Sequence, residues 1–136
     1  MFETFEHTTD LGLRVRAADL NDLFAEAGRG LFSIVVENPT EIRPQSTRSV
    51  ELKADSLEQL FFDWLAELLY LLDAQQFVLC TFAVELAGAS LVAKVSGEPS
   101  DRARHRLLRK VKAITRHGLI VRPSGRHWEA EVIVDI

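Results

Sequence analysis

The feature that most constrains this 136-residue chain is an apolar stripe between Leu57 and Leu72. Leu57, Leu60, Phe61, Trp64, Leu65, Leu68, Leu69 and Leu72 recur at helical spacing, and the face they make is wide. Ser56-Leu57-Glu58-Gln59 stands at its start. The Ser56 hydroxyl can accept from the Gln59 N–H while the Gln59 side chain reaches back, which is the reciprocal cap of a helix N-terminus. Asp63 and Glu67 interrupt the stripe, and the run is too short to span a bilayer. A face this apolar has to be covered, so the rest of the chain must supply a surface for it.

The flanking patterns supply strands and one more helix. Asp19 is placed to cap a helix running to about Val36, with Leu20, Leu23, Phe24, Ala27, Leu31, Ile34 and Val35 on one side. Gly28 and Gly30 each cost about 1 kcal/mol of helix propensity, so close packing on a sheet is their simplest use. Phe2 to Thr8 alternates loosely. Leu11 to Ala17 alternates cleanly, with Leu11, Leu13 and Val15 opposite Arg14 and Arg16. Further strands are predicted over Ser49–Ala54, Phe77–Leu86, Leu91–Ser96, Val111–Val121 and Trp128–Ile136. Gly88-Ala89-Ser90 and Pro123-Ser124-Gly125 supply two turns. Asp101 to Arg109 is polar and partly helical in character.

The order β-β-α-β-α-β-β-β-β has more hairpins than crossovers. The expected fold is α+β: a mostly antiparallel or mixed sheet with both helices on one face, in a single domain over residues 1–136. An ordinary apolar fraction of 47% and a net charge of −4 argue against disorder. Cys80 is the one cysteine, which excludes an internal disulfide; it sits in the run Phe77-Val78-Leu79-Cys80 and reads as a small buried hydrophobe. No secretory signal pattern opens the chain, so a reduced, cytoplasmic, membrane-free setting is expected.

The familiar signatures of nucleotide, hydrolase and zinc chemistry are missing. Three features remain. His7-Thr8-Thr9-Asp10 offers oxygen ligands for a hard cation, or a turn cap with a satisfied histidine. Asp135-Ile136 ends an apolar strand with two adjacent carboxylates, which repel unless something positive lies between them. Residues 101–126 carry nine Lys or Arg against the single acid Asp101, so this stretch is +8 and the remainder −12. Its cations, Arg102, Arg104, Arg106, Arg109 and Lys110 foremost, suit phosphate, RNA or an acidic protein surface, or form a solvated face. His117-Gly118 is a base, a ligand or a structural histidine.

Taken together, five segments resemble the archease family. They are Phe5-Glu6-His7-Thr8-Thr9-Asp10-Leu11-Gly12, Trp64-Leu65-Ala66-Glu67-Leu68-Leu69-Tyr70-Leu71, Gly97-Glu98-Pro99 with Asp101-Arg102 and Arg104-His105, Val111-Lys112-Ala113-Ile114-Thr115-Arg116-His117-Gly118-Leu119, and Val132-Ile133-Val134-Asp135-Ile136. Thr9 stands where the family usually has Ala, and Arg116 where it usually has Tyr.

The resemblance implies a protein cofactor of an RtcB-type RNA ligase in tRNA splicing and RNA repair, with no activity of its own. Such a cofactor promotes GTP-dependent guanylylation of the ligase and multiple turnover. It also implies a divalent metal site at Asp10, Asp135 and Ile136, with His7, Thr9, Lys112 and His117 as functional neighbours. Three carboxylates would suit Ca²⁺, Mg²⁺ or Mn²⁺ rather than zinc. Those three groups would meet if the closing strand pairs beside the opening hairpin. Two competing expectations are a stand-alone metal-dependent phosphohydrolase or nucleotidyl enzyme and an RNA-binding module. Residues 101–126 contain no Phe, Tyr or Trp on which bases could stack, which weakens the last.

Overall fold

The computed structural model describes residues 1–7 and 10–136, with His7 described by its backbone alone. The first hairpin pairs β1 (Phe2–His7) with β2 (Asp10–Ala17), antiparallel, from Phe2↔Val15 to His7↔Asp10. Leu11, Leu13 and Val15 of β2 are buried, as their alternation with Arg14 and Arg16 predicts. Thr8 and Thr9 lie outside the described residues, so their expected role at the bend is not among the structural findings.

Helix α1 (Leu20–Val35) opens at Asp19, whose Oδ1 accepts the Asp22 N–H at 2.8 Å. Helix α2 (Leu57–Asp73) opens at Ser56, whose Oγ accepts the Gln59 N–H at 3.1 Å. Only that half of the expected reciprocal cap forms. The Gln59 amide instead donates to Asp63 Oδ1 at 2.8 Å, one helical turn onward.

The strands divide into two antiparallel sheets rather than one. β3 (Ser46–Lys53), β5 (Ser90–Pro99) and β4 (Phe77–Ala87) form a three-stranded sheet in the order β3-β5-β4. β1 and β2 join β8 (His127–Asp135), whose other edge carries two short strands, β6 (Ala113–Ile114) and β7 (Ile120–Ser124). Gly88 and Gly125 take φ of 61° and 64° in the β4–β5 and β7–β8 turns, a conformation that favours glycine. The α+β class and the order of elements are as expected from sequence.

Two further expectations need correction. The strand predicted over Val111–Val121 is two pieces. Ala113 pairs with Asp135 and Ile114 with Val134, the Thr115 N–H reaches Ile133 O, and pairing resumes only at Ile120↔Glu131. Residues 116–119 leave the ladder opposite a single residue of β8. Gly118 has φ 65° and the Arg116 guanidinium lies over the Phe62 ring at 4.4 Å. The partly helical stretch Asp101–Arg109 is one turn, Asp101 O accepting from the N–H groups of Arg104 and His105; the rest is irregular.

The two glycines of α1 explain how two sheets share these helices. Positions 28 and 30 lie on opposite sides of a helix. A Cβ on Gly28 would meet the Phe82 ring of β4 at 2.7 Å, and one on Gly30 would meet Leu13 of β2 at 2.7 Å. α1 is therefore held between the sheets and touches both. Trp64 ties α2 to it: the buried indole N–H donates to Phe24 O at 2.8 Å, and Phe24 meets Phe61 edge-on at 5.2 Å. One apolar cluster runs through both helices and both sheets. No helix among the described residues is long and apolar enough to cross a membrane.

Candidate functional site

Pleating decides which residues share a face. Leu11, Leu13 and Val15 of β2 point to the core, as do Ala130, Val132 and Val134 of β8, so the intervening residues point outward. That outer face carries a charged lattice: Arg14 binds Glu131 at 2.6 Å and Glu3 at 2.9 Å, and Glu129 receives Arg16 and Arg122. The next row holds Phe5, Gly12 and Ile133 in register. A Cβ on Gly12 would stand 2.2 Å from the Phe5 ring, so the ring lies directly on the glycine. Arg14 covers the ring's other surroundings at 4.9 Å.

The last row contains the expected metal residues. Asp10 is the Cα partner of Asp135, and His7 is the Cα partner of Asp10. Across the far edge Ala113 faces Asp135, and the Lys112 N–H donates to Asp135 O at 2.7 Å. Directly opposed residues of an antiparallel pair bring their Cβ atoms to about 4.5–5.5 Å, so two carboxylates from opposite ends of the chain sit side by side. Ile136 follows Asp135, half-buried and packed against the core. Lys112 is exposed beside this row. His117 is exposed on the 116–119 excursion, its N–H donating to Thr115 Oγ1 at 3.3 Å. Among the described residues no three His, Cys, Asp or Glu side chains converge.

The basic segment is less uniform than its charge suggests. Arg104 binds Glu98 at 2.5 Å, Arg106 binds Glu37 at 3.1 Å, and Arg122 binds Glu129 at 3.3 Å. Arg102, Arg109 and Lys110 make no ion pair among the described residues and line one cleft of about 450 Å³. The cations expected to meet phosphate or a partner are thus split: Arg104 and Arg106 are neutralised in place, and the other three are not. His105, within the same segment, is buried at 1% exposure.

Its partner is a buried carboxylate that sequence reasoning did not single out. Glu98, 3% exposed, accepts from Arg104, from the Arg43 N–H at 2.7 Å and from His105 Nε2 at 3.1 Å. The Asp101 N–H donates to His105 Nδ1 at 2.9 Å. These contacts, Arg104 foremost, hold the Glu98 carboxyl down to about 2, against the opposing pull of burial. Asn38 completes the knot, donating to Arg104 O at 2.9 Å and to Glu41, and accepting the Arg106 N–H at 2.9 Å. Irregular backbone from 101 to 108 is thereby fixed to the end of α1. A faint signal existed in sequence: Gly97-Glu98 breaks the alternation of β5. A Cβ on Gly97 would stand 1.8 Å from Val78 O, beside the bulge between Leu79 and Thr81. Cys80, in that bulge, is half-buried rather than enclosed, and burial pushes its thiol up.

The model of the Archease protein family matches residues 2–136. The chain belongs to the archease family. The archease of Pyrococcus abyssi is 34% identical over 141 residues, covering 99% of this chain and 98% of the relative. That of Sulfurisphaera tokodaii is 30% identical over 137 residues with the same coverage. Among solved structures, protein 1598 of Methanobacterium thermoautotrophicum superposes with a TM-score of 0.87 at 27% identity, covering 99% of this chain and 98% of its own. An archease from Thermotoga maritima, described as a possible chaperone, gives 0.61 at 18% identity and shares the fold. The Arg116 side chain is used against Phe62 of α2.

Proposed function

We propose that this archease is a protein cofactor of an RtcB-type RNA ligase in tRNA splicing and RNA repair. It acts by promoting GTP-dependent guanylylation of the ligase, so that the ligase turns over repeatedly. The carrying observation is the register Asp10↔Asp135, which opposes two carboxylates at one end of the β2–β8 ladder. Paired carboxylates repel at neutral pH, and a divalent cation between them removes the repulsion. The donors are oxygens only, which fits Ca²⁺, Mg²⁺ or Mn²⁺. Asp10, Asp135 and the Ile136 carboxyl group would hold the ion, and it would supply positive charge for arranging phosphate groups. Lys112, bonded through its N–H to Asp135 O, adds a cation at the same row.

The test is ligation by the cognate ligase with RNA in excess, with and without this protein. Wild type is expected to convert single-round ligation into multiple turnover, and Asp10→Ala and Asp135→Ala to lose that effect. One residue added after Ile136 should act likewise. Stimulation by both aspartate variants equal to wild type overturns the metal-site reading. GTP turnover by the purified protein alone, abolished by Asp10→Asn, would make it an enzyme in its own right.

A further inference from the structure

The cleft at the C-terminal ends of α1 and α2 takes no part in the metal-site reading. Arg102, Arg109 and Lys110 line it, and none is matched by a carboxylate among the described residues. Arg109 makes one long contact, Nη1 to Ile34 O at 3.5 Å, which leaves most of its donors open. Val35, Leu72, Leu107 and Val111 give the same cleft an apolar wall. Leu107 stays 50% exposed although its backbone is bridged to Val36. The Glu98–His105–Asn38 knot holds this loop, so the cations are presented from a fixed backbone.

A second observation comes from the other rim. Gln76 has φ 52°, the one non-glycine at positive φ among the described residues, and it lines the cleft. Gln76 O accepts the Ser100 N–H at 2.7 Å, which holds the two rims together. Unfavourable backbone of this kind collects at ligand sites.

We propose that this cleft binds the phosphate group of a nucleotide, either free or at the end of an RNA strand. The guanidinium forks of Arg102 and Arg109 suit bidentate contact with phosphate oxygens, and Lys110 adds a point charge. The Leu107 and Val111 wall receives the nucleoside. Asp73, also on the rim, repels phosphate but accepts from sugar hydroxyls, which gives the cleft a polarity. About 450 Å³ lies within the range of small-ligand sites. The acid on its rim favours such a ligand over an acidic protein segment, whose carboxylates Asp73 would repel, and the phosphate-binding end selects compact anions. The proposal stands apart from the metal site and from the ligase.

The experiment uses ¹⁵N-labelled full-length protein in EDTA, so the metal site plays no part. The probes are tripolyphosphate, GTP, and an oligoribonucleotide with and without a 5′-phosphate. Backbone shifts are expected at residues 73–76 and 100–111, and GTP is expected to bind tighter than tripolyphosphate. Losing the 5′-phosphate should weaken the oligonucleotide about tenfold. Tighter binding of the phosphorylated strand than of GTP identifies a strand end as the source, and the reverse a free nucleotide. Arg102→Gln, Arg109→Gln and Lys110→Gln combined should weaken binding about a hundredfold, since all three are exposed and their loss leaves the core intact. Arg126→Gln, in the β7–β8 turn, should leave it unchanged. Absence of shifts in the cleft, equal binding by the triple variant, or equal competition by polyglutamate overturns the proposal.

Discussion

Replacing Glu98 with Gln tests whether a buried carboxylate organises the loop over residues 101–108. The side chain keeps its shape but loses its charge, and one of its two acceptor oxygens becomes a donor facing Arg43, Arg104 or His105. The wild-type carboxyl is held down to about 2, while an unfolded glutamate titrates near 4.3. A difference of a little over two units corresponds to about 3 kcal/mol of stability at neutral pH. Because the folded value is the lower one, that stability is present above the unfolded value. It fades as pH falls through 4 toward 2, with about 2 kcal/mol gone by pH 3. Urea unfolding of wild type and Glu98→Gln at pH 7 and pH 3 measures this directly. The two curves should lie about 3 kcal/mol apart at pH 7 and draw to about 1 kcal/mol at pH 3. Other carboxylates titrate alike in both proteins and cancel in the comparison. A constant gap at both pH values would refute the argument that charge at this position holds the loop.

Three further outcomes follow from the same geometry. Gly97→Ala places a Cβ against the Val78 carbonyl, which belongs to backbone and cannot swing away, so it should lower the melting temperature more than any other single glycine-to-alanine change in a strand. Gly30→Ala presses on the end of Leu13 and should cost about 1–3 kcal/mol in chemical denaturation, less whatever helix propensity returns. If Asp10 and Asp135 hold a divalent ion, millimolar Ca²⁺ should raise the melting temperature of wild type and leave Asp135→Asn unmoved; an equal rise in both would place the ion elsewhere.

Local elements were readable wherever one residue pattern decides them. The alternation of Leu11, Leu13 and Val15 named the buried face of β2, and Asp19 and Ser56 marked both helix starts. The division into two sheets was not readable, because it depends on which strands find one another across the chain. Gly28 and Gly30 hinted at close packing, but only their opposite contacts, Phe82 and Leu13, reveal two sheets. The strand expected over Val111–Val121 failed for a related reason. Its β-branched residues fit either one long strand or two short ones, and the excursion at Arg116-His117-Gly118 is fixed by Phe62 and by β8. At the candidate site, Asp10 and Asp135 were each singled out by residue type and position, the resemblance joined them, and they stand in register. Glu98 was missed because the break in alternation at Gly97-Glu98 marks an irregular strand and not by itself a buried acid. Its partners Arg43, Arg104 and His105 meet it only after two loops close.

The pairing of β2 with β8 also has a kinetic meaning. Asp10 and Asp135 become neighbours through one of the longest loop closures this chain can make. Such contacts form late, since the entropy of closing the loop is lost before the pairing returns anything. β8 fills the sheet between β2 and the two short strands, so a chain still being synthesised lacks both the strand and the carboxylate. A partly folded chain therefore cannot display the two opposed acids. Binding at that row would report a completed β2–β8 ladder, and any ion held there would slow its unfolding from that end.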